Sequence, residues 1–342
     1  VSSSSSLESL SFRALLKWYR RERRDLPWRH SRDPYAILVS EIMLQQTRVE
    51  AVIPYYLRFL ESFPTVEALA CASLESVYER WAGLGYYRRA RNLQLAAQAV
   101  LEQGGFPSTL EGLRALPGVG EYTAAAVLSI AFEKPAVALD GNALRVLCRL
   151  HALHSPPLAA ATRRELTLRT LPEIPADSAS DFTQAIMELG ARVCLPRQPQ
   201  CLICPLQSGC RAYLEGLTGS IPQAAPPARR EKVLLWALRI RRGPLVLLER
   251  REHDPFLAQQ WVTPWFFGPA EEVLQRYQAD FPGSPARLVG RTRHGVTFRD
   301  LEIDVWEWET TSSACSEEQR WVDWAGGEMR LPRLASRVLE LA

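Results

Sequence analysis

Between Thr218 and Arg230 the chain reads TGSIPQAAPPARR, and its hydrophobic rhythm differs on the two sides of that stretch. Upstream, apolar residues recur every three or four positions. Downstream, they alternate. Helices repeat every 3.6 residues and half-buried strands every two, so one architecture cannot serve both parts. The intervening Pro, Ala and Gly read as a linker. We therefore expect a mainly α-helical domain over residues 9–217, a linker over 218–231 and an α+β domain over 232–342. A length of 342 residues suits two domains of ordinary size. Residues 1–8, which include five consecutive Ser, read as a disordered lead-in.

The upstream part is dense in helical signals. Leu7, Leu10, Ala14, Leu15 and Trp18 keep helical spacing, and Pro34 stands where a helix tolerates proline, in its first turn. The pattern continues through VIPYYLRFLESF, TVEALACASLESVYERW and RRARNLQLAAQAVLEQ, which predicts about ten helices by the periodicity rule. Downstream, KVLLWALRI and PLVLLER flank RRG, a hairpin signal. In RDLEIDVWEWE, Leu301, Ile303 and Val305 share one face, opposite Glu302, Asp304 and Trp306. EEVLQRYQADF and LPRLASRVLELA read as helices.

Composition excludes several classes. The charge is only +3, and that excess lies within residues 1–220, with 24 basic and 21 acidic residues against 17 and 17 afterwards. This permits a polyanionic partner without being a basic arm. No apolar run reaches the roughly 20 residues that span a bilayer, and VSSSSSLESL lacks a signal-peptide core. An intracellular protein without a membrane partner is expected, and its seven Cys are not read as a disulfide framework. Lysine occurs only at 17, 134 and 232, which restricts lysine chemistry to three candidates.

Four cysteines, Cys194, Cys201, Cys204 and Cys210, form C-x6-C-x2-C-x5-C. So many soft donors in so short a segment point to a metal centre. Tetrahedral zinc and a four-iron cluster both fit four thiolates. Zinc knuckles favour two close pairs, and the single close pair here leans towards iron–sulfur. Cys71, Cys148 and Cys315 are solitary and read as ordinary thiols.

LEGLRALPGVGEYTAAAVLSIAF reads as helix, tight turn, helix. Gly118 and Gly120, around Val119, permit unusual backbone angles and leave amides uncovered. Amides at a helix N-terminus make an anion site, and a nucleic-acid phosphate suits it. A bend with no ligand uses the same residues. Twenty residues beyond Gly120, Asp140 opens another helix, as an ordinary N-cap or as a carboxylate at a cleft mouth.

A hairpin reading LPGVG, an Asp twenty residues later and this cysteine spacing together resemble the endonuclease III superfamily of base-excision DNA glycosylases. Within it, LPWRHSRDPYAILVSEIMLQQTRVEAVIPYY, WAGLGYYRRARNL, LDGNALRVLCRL and FTQAIMELGARVC are similar to the adenine-specific MutY family, almost continuously over residues 10–215. The C-terminal part resembles that family's Nudix-like domain more loosely. The resemblance implies a helix–hairpin–helix fold with a [4Fe–4S] cluster on the four Cys of loop 194–210. It implies a bacterial cytoplasmic, monomeric enzyme acting on double-stranded DNA that carries adenine opposite 8-oxoguanine or guanine.

It also implies residue roles. Glu41 is the acid that protonates adenine, Asp140 the ionised carboxylate facing the sugar, and Tyr122 a neighbour of that sugar. Tyr122 stands where strand-cleaving relatives carry a Schiff-base Lys, so a monofunctional enzyme is expected. Trp28, Arg29, Leu44 and Gln184 are expected to line the adenine pocket. Gln46 is expected to insert into the duplex and Thr47 to touch the opposite base, with Tyr86 wedging near that base, Leu84 alongside, and Arg88, Arg89 and Arg91 on phosphates.

One departure stands out. His294 matches a His before the family's Phe-Ser-His reading loop, but Val296, Thr297 and Phe298 replace that triplet. Thr297 keeps a hydroxyl; Phe298 loses the hydrogen bond a His makes, which predicts weaker discrimination between oxidised and normal guanine. No acidic Nudix catalytic box is present, so pyrophosphatase activity is not expected. The competing readings are a thymine or uracil mismatch glycosylase, and a catalytically silent DNA-binding iron–sulfur protein.

Overall fold

The computed structural model describes residues 4–223, 230–251, 257, 260–296, 299–326, 329 and 331–341. The chain divides into two compact units. The first comprises Val1–Arg80 and Arg88–Pro226; the second comprises Pro227–Ala342 together with the short segment Trp81–Tyr87. Among the described residues no helix is long and apolar enough to cross a membrane.

The helical unit holds α1 (Ser4–Glu22), α2 (Pro34–Leu44), α3 (Val49–Ser62), α4 (Val66–Cys71), α5 (Leu74–Trp81), α6 (Arg88–Glu102), α7 (Leu110–Ala115), α8 (Glu121–Phe132), α9 (Gly141–Leu150), α10 (Ala160–Thr170), α11 (Ala179–Arg192) and α12 (Arg211–Leu214). Helix α1 starts at Ser4, inside the stretch expected as a disordered lead-in. Serine costs a helix only about 0.5 kcal/mol per residue, little enough for an established helix to extend through it.

Local chemistry explains the helices that matter here. Asp33 caps α2 by accepting from the Tyr35 amide at 3.0 Å, and Pro34 takes the first position. Thr109 caps α7 in the same way, accepting from Gly112 at 3.2 Å. Helix α8 is buried from Thr123 to Ile130, because Ala124, Ala125 and Ala126 let neighbours approach on every face. It packs against α2, α7 and α11. A second packing layer joins α1, α9 and α11 through Phe12, Leu15, Tyr19, Leu147, Phe182, Ile186 and Leu189.

The second unit is a mixed sheet of seven strands, in the order β3-β2-β1-β6-β5, with β4 beside β1 and β7 beside β2. The strands are β1 (Glu231–Arg242), β2 (Leu245–Arg250), β3 (Trp261–Val262), β4 (Trp265–Phe267), β5 (Arg287–Val296), β6 (Arg299–Glu309) and β7 (Gln319–Asp323). β1 and β2 form the expected hairpin, turning at Gly243 with φ +58°. β1 and β6 run parallel from Glu231 opposite Arg299 to Arg241 opposite Glu309.

Alternation then sorts the side chains. Leu235, Ala237, Leu301, Ile303 and Val305 meet Leu334, Ala335 and Val338 of α14 (Arg333–Leu339). Trp236, Leu238, Ile240 and Trp308 meet Leu274, Tyr277 and Phe281, on or just after α13 (Glu271–Asp280). A sheet covered by a helix on each face satisfies both apolar surfaces.

Candidate active site

Helix α2 is largely apolar and carries a single carboxylate. Its buried run extends from Tyr35 to Met43 and includes Glu41, whose residue is 5% exposed. A carboxylate in such surroundings loses hydration, and loss of hydration favours the neutral form. Burial pushes Glu41 up to about 7; a hydrogen bond from Tyr122 pulls it down, and the nearby Asp140 charge adds to the rise. The Tyr122 hydroxyl donates to Glu41 Oε2.

Asp140 approaches from another helix. It is the N-cap of α9, and Oδ1 accepts from the Ala143 amide at 2.6 Å while Oδ2 accepts from Asn142 Nδ2 at 3.2 Å. Burial raises Asp140 as well, but these bonds and the charge of Arg145 oppose it. The N-cap geometry fixes both oxygens, so the capping and cleft readings of Asp140 describe one arrangement.

Glu41, Tyr122 and Asp140 line a single cleft of about 360 Å³. That is within the range of about 300–1,000 Å³ that holds small organic ligands. Trp28, Arg29, Leu44, Gln46, Thr47 and Gln184 line it too. Trp28 also packs edge-on against Tyr56, ring centroids 5.4 Å apart, so it serves both core and cleft. Gln184 Nε2 donates to Ser180 Oγ at 3.1 Å. Gln46 has φ +57°, an uncommon conformation for a side chain of its size.

Other expected residues stand elsewhere. Gly118, Val119 and Gly120 form the turn between α7 and α8. Gly118 has φ +73°, and a Cβ there would meet the Asn92 side chain at 2.5 Å, so the position demands glycine. A Cβ at Gly120 would meet open space. Leu84 is buried and Tyr86 exposed with φ +53°, both in the segment grouped with the second unit. Arg88 and Arg91 are exposed on α6. Arg89, expected on a phosphate, instead turns inward and donates to the carbonyl oxygens of Ile42, Met43 and Gln45. Those carbonyls end α2 and lack helical partners, which makes them stronger acceptors for a cation than the solvent side.

His294 lies half-buried on β5, and burial together with Arg337 and Arg333 lowers its pKa. Thr297 and Phe298 lie outside the described residues.

The cleft also contains groups that sequence reading missed. Glu188, with a fully buried side chain, accepts from Arg24 Nε at 2.9 Å and Arg29 NH2 at 2.8 Å. Burial alone would raise this carboxyl, but the two arginines overrule it and hold it at about 2. Its position four residues after Gln184 on α11, hence on the same helix face, was the available signal.

The four cysteines line one small cavity with Arg149 and Tyr213. Their charges act on one another, and Arg149 donates to Cys194 Sγ at 3.3 Å. Among the described residues no three His, Cys, Asp or Glu side chains are arranged to hold a metal ion. Four soft donors on one cavity wall, with a cationic donor beside them, are chemically suited to a thiolate-ligated centre.

With this geometry established, comparison with known proteins is informative. The HhH-GPD superfamily base excision DNA repair protein family matches residues 39–170. An adenine DNA glycosylase of Rattus norvegicus is 36% identical over 379 residues, covering 91% of this chain and 73% of that protein. The Homo sapiens adenine DNA glycosylase is 47% identical over 385 residues, covering 92% of this chain and 70% of that protein. Among solved structures, a thermostable thymine-DNA glycosylase aligns with a TM-score of 0.57 at 30% identity, covering 62% of this chain and 98% of its own.

Proposed function

Since the chain belongs to the adenine DNA glycosylases of the HhH-GPD superfamily, we propose that its cleft removes adenine mispaired with 8-oxoguanine or guanine and leaves an abasic site. The protein is a DNA-binding, base-excision-repair glycosylase acting on adenine; the opposite base and the roles of individual residues are our reading. One observation carries it: carboxylates from two different helices, Glu41 and Asp140, line one nucleobase-sized cleft, with Tyr122 bonded to the first.

Adenine cannot reach these groups from inside a duplex, so the nucleotide is extruded. The glycosidic bond breaks by expelling a poor leaving group from C1′. Protonated Glu41 gives its proton to adenine N7, so the base departs neutral. Ionised Asp140 stabilises the oxocarbenium-like sugar, or bonds briefly to C1′, before water completes hydrolysis. Two carboxyls with opposed protonation states do this work in glycoside hydrolysis. Burial raises both carboxyls, but Asp140 also accepts from the Ala143 amide and Asn142 beside Arg145, which favour its charged form and support that division. Trp28, Leu44 and Gln184 enclose the base; Gln46 enters the duplex from the cleft rim and Thr47 touches the opposite base.

Among the described residues no lysine lines the cleft, and Tyr122 cannot form a Schiff base, which supports a monofunctional enzyme. Gly118, Val119 and Gly120 would offer amides to a phosphate, as would the exposed Arg88 and Arg91. His294, Thr297 and Phe298 would meet the opposite base, and the second unit would serve as its Nudix-like reader. Leu84 and Tyr86 would wedge beside that base.

Cys194, Cys201, Cys204 and Cys210 would hold a [4Fe–4S] cluster. The four thiols line one cavity beside Arg149, which suits a thiolate-ligated centre. When bound, the cluster supplies cross-links that close loop 194–210.

A thymine-excising role is the competing reading. The adenine-specific relatives match over 91% and 92% of this chain, against 62% for the thymine-specific structure, which favours adenine. Incubation with duplexes carrying adenine opposite 8-oxoguanine or guanine, and thymine opposite guanine, followed by alkali, separates the two. We expect cleavage at adenine in the first two and none at thymine, with no adduct trapped by borohydride. Thymine release without adenine release would overturn the assignment.

A further inference from the structure

Arg89 sits one helix away from the cleft, yet four acceptors around the end of α2 converge on it. NH1 donates to Ile42 O at 3.1 Å, to Met43 O at 3.0 Å, to Gln45 O, and to Thr47 Oγ1 at 3.3 Å; NH2 reaches the same hydroxyl at 3.3 Å. Two of those acceptors are the unpaired carbonyls that finish α2, three residues or fewer beyond Glu41. The others lie on the loop that follows. Within that loop Gln46 holds φ +57°, a conformation that a residue of this size keeps only when its surroundings impose it. The Thr47 amide returns to Leu44 O at 3.3 Å, closing a tight turn around the strained residue.

We propose that Arg89 is a positioning residue: its guanidinium ties the end of α2 to the Gln45–Gln46–Thr47 turn and so presents Gln46 to the duplex. This rests on the reading that Gln46 enters the duplex when adenine is extruded. The chemistry asks for arginine in particular. A planar guanidinium with five donors in a rigid fork can serve several acceptors spread over two turns of chain; an ammonium is a point charge with three. A helix C-terminus is also the negative end of its dipole, which favours a fixed cation there. With its donors committed inward, Arg89 is not the phosphate contact that its neighbours Arg88 and Arg91 can provide.

Base extrusion can be read apart from chemistry. In the full-length protein carrying Glu41→Gln, a duplex with 2-aminopurine in place of the adenine opposite guanine reports unstacking as a rise in fluorescence. Adding Arg89→Met is expected to cut that rise to about a tenth or less, with affinity for undamaged duplex unchanged. Arg89→Lys is expected to recover part of it. With Glu41 intact, Arg89→Met is expected to slow single-turnover excision by about 100-fold, the scale of a misplacement near 1 Å. A purely structural role would lower thermal stability in Met and Lys variants alike without the graded recovery; that result overturns the proposal, as does a full fluorescence rise in Arg89→Met. Should the Met variant not fold, Arg89→Lys and Arg89→Gln carry the test on the same readout. Gln46→Ala separates the two levels. Loss of the rise there, with the rise kept in Arg89→Met, defeats the Arg89 role alone; a full rise in Gln46→Ala defeats the penetrating-loop reading itself.

Discussion

The two walls of the cleft hold the same residue in opposite states. On the α2 wall, Glu41 is buried among apolar side chains with no cation beside it, and its carboxyl rises to about 7. On the α11 wall, Glu188 is buried just as deeply but grips Arg24 and Arg29, and falls to about 2. Burial raises both; what differs is the company each keeps. Depth alone therefore does not make an acid catalyst, and a buried carboxyl near a reaction site needs its partners named before it is given a role. Glu188 holds the arginines of the pocket in place. Glu41 is left free to carry a proton at neutral pH.

Breaking the contrast from the Glu41 side gives the largest effect. Glu41→Gln removes the proton donor and is expected to lower single-turnover excision of adenine by about 10²–10⁴-fold, the usual worth of a general acid. Asp140→Asn keeps the Asn142 neighbour and part of the cap, and removes the charge facing the sugar. Excision is expected to fall on a similar scale while duplex affinity persists; wild-type turnover in that variant would show that the carboxylate has been misassigned.

From the other wall, Glu188→Gln leaves two arginine charges in the cleft without their counter-ion. Breaking a buried pair this way costs about 3–5 kcal/mol, measurable as a drop in unfolding free energy by denaturant titration. The pH sign is also set. Glu188 is depressed in the fold, so its stabilisation is present above the ordinary carboxylate pKa and is lost as pH falls towards about 2. The acid limb of the stability curve should therefore flatten in Glu188→Gln.

The smallest change sharpens the comparison. Tyr122 donates to Glu41 and pulls its pKa down. Tyr122→Phe should move the basic limb of the pH–rate profile to higher pH, with a rate change well below that of Glu41→Gln. On the proposed mechanism the protonated form is the active one, so the rate should fall as pH rises through about 7.

Much of this arrangement could be read before folding, and the failures have physical causes. The alternation of Leu301, Ile303 and Val305 was legible because Glu302 and Asp304 fall between them, so the two faces of the strand differ in polarity. Asp140 was legible as an N-cap because capping is local. Its place in the cleft, and that of Glu41, came only through resemblance to a family. Glu188 escaped notice because its meaning lies in Arg24, 164 residues away in the chain, and local periodicity cannot see such a partner. Arg89 was misread for the same reason: in RRARN it looks like one of three surface cations, and only the end of α2 turns it inward.

The central claim is that Glu41 is a neutral acid at working pH beside an ionised Asp140. A carboxyl-¹³C NMR titration of the wild type against Glu41→Gln observes it without catalysis. The account predicts that the resonance missing from the variant titrates near 7. A Glu41 resonance titrating near 4.5 would contradict it.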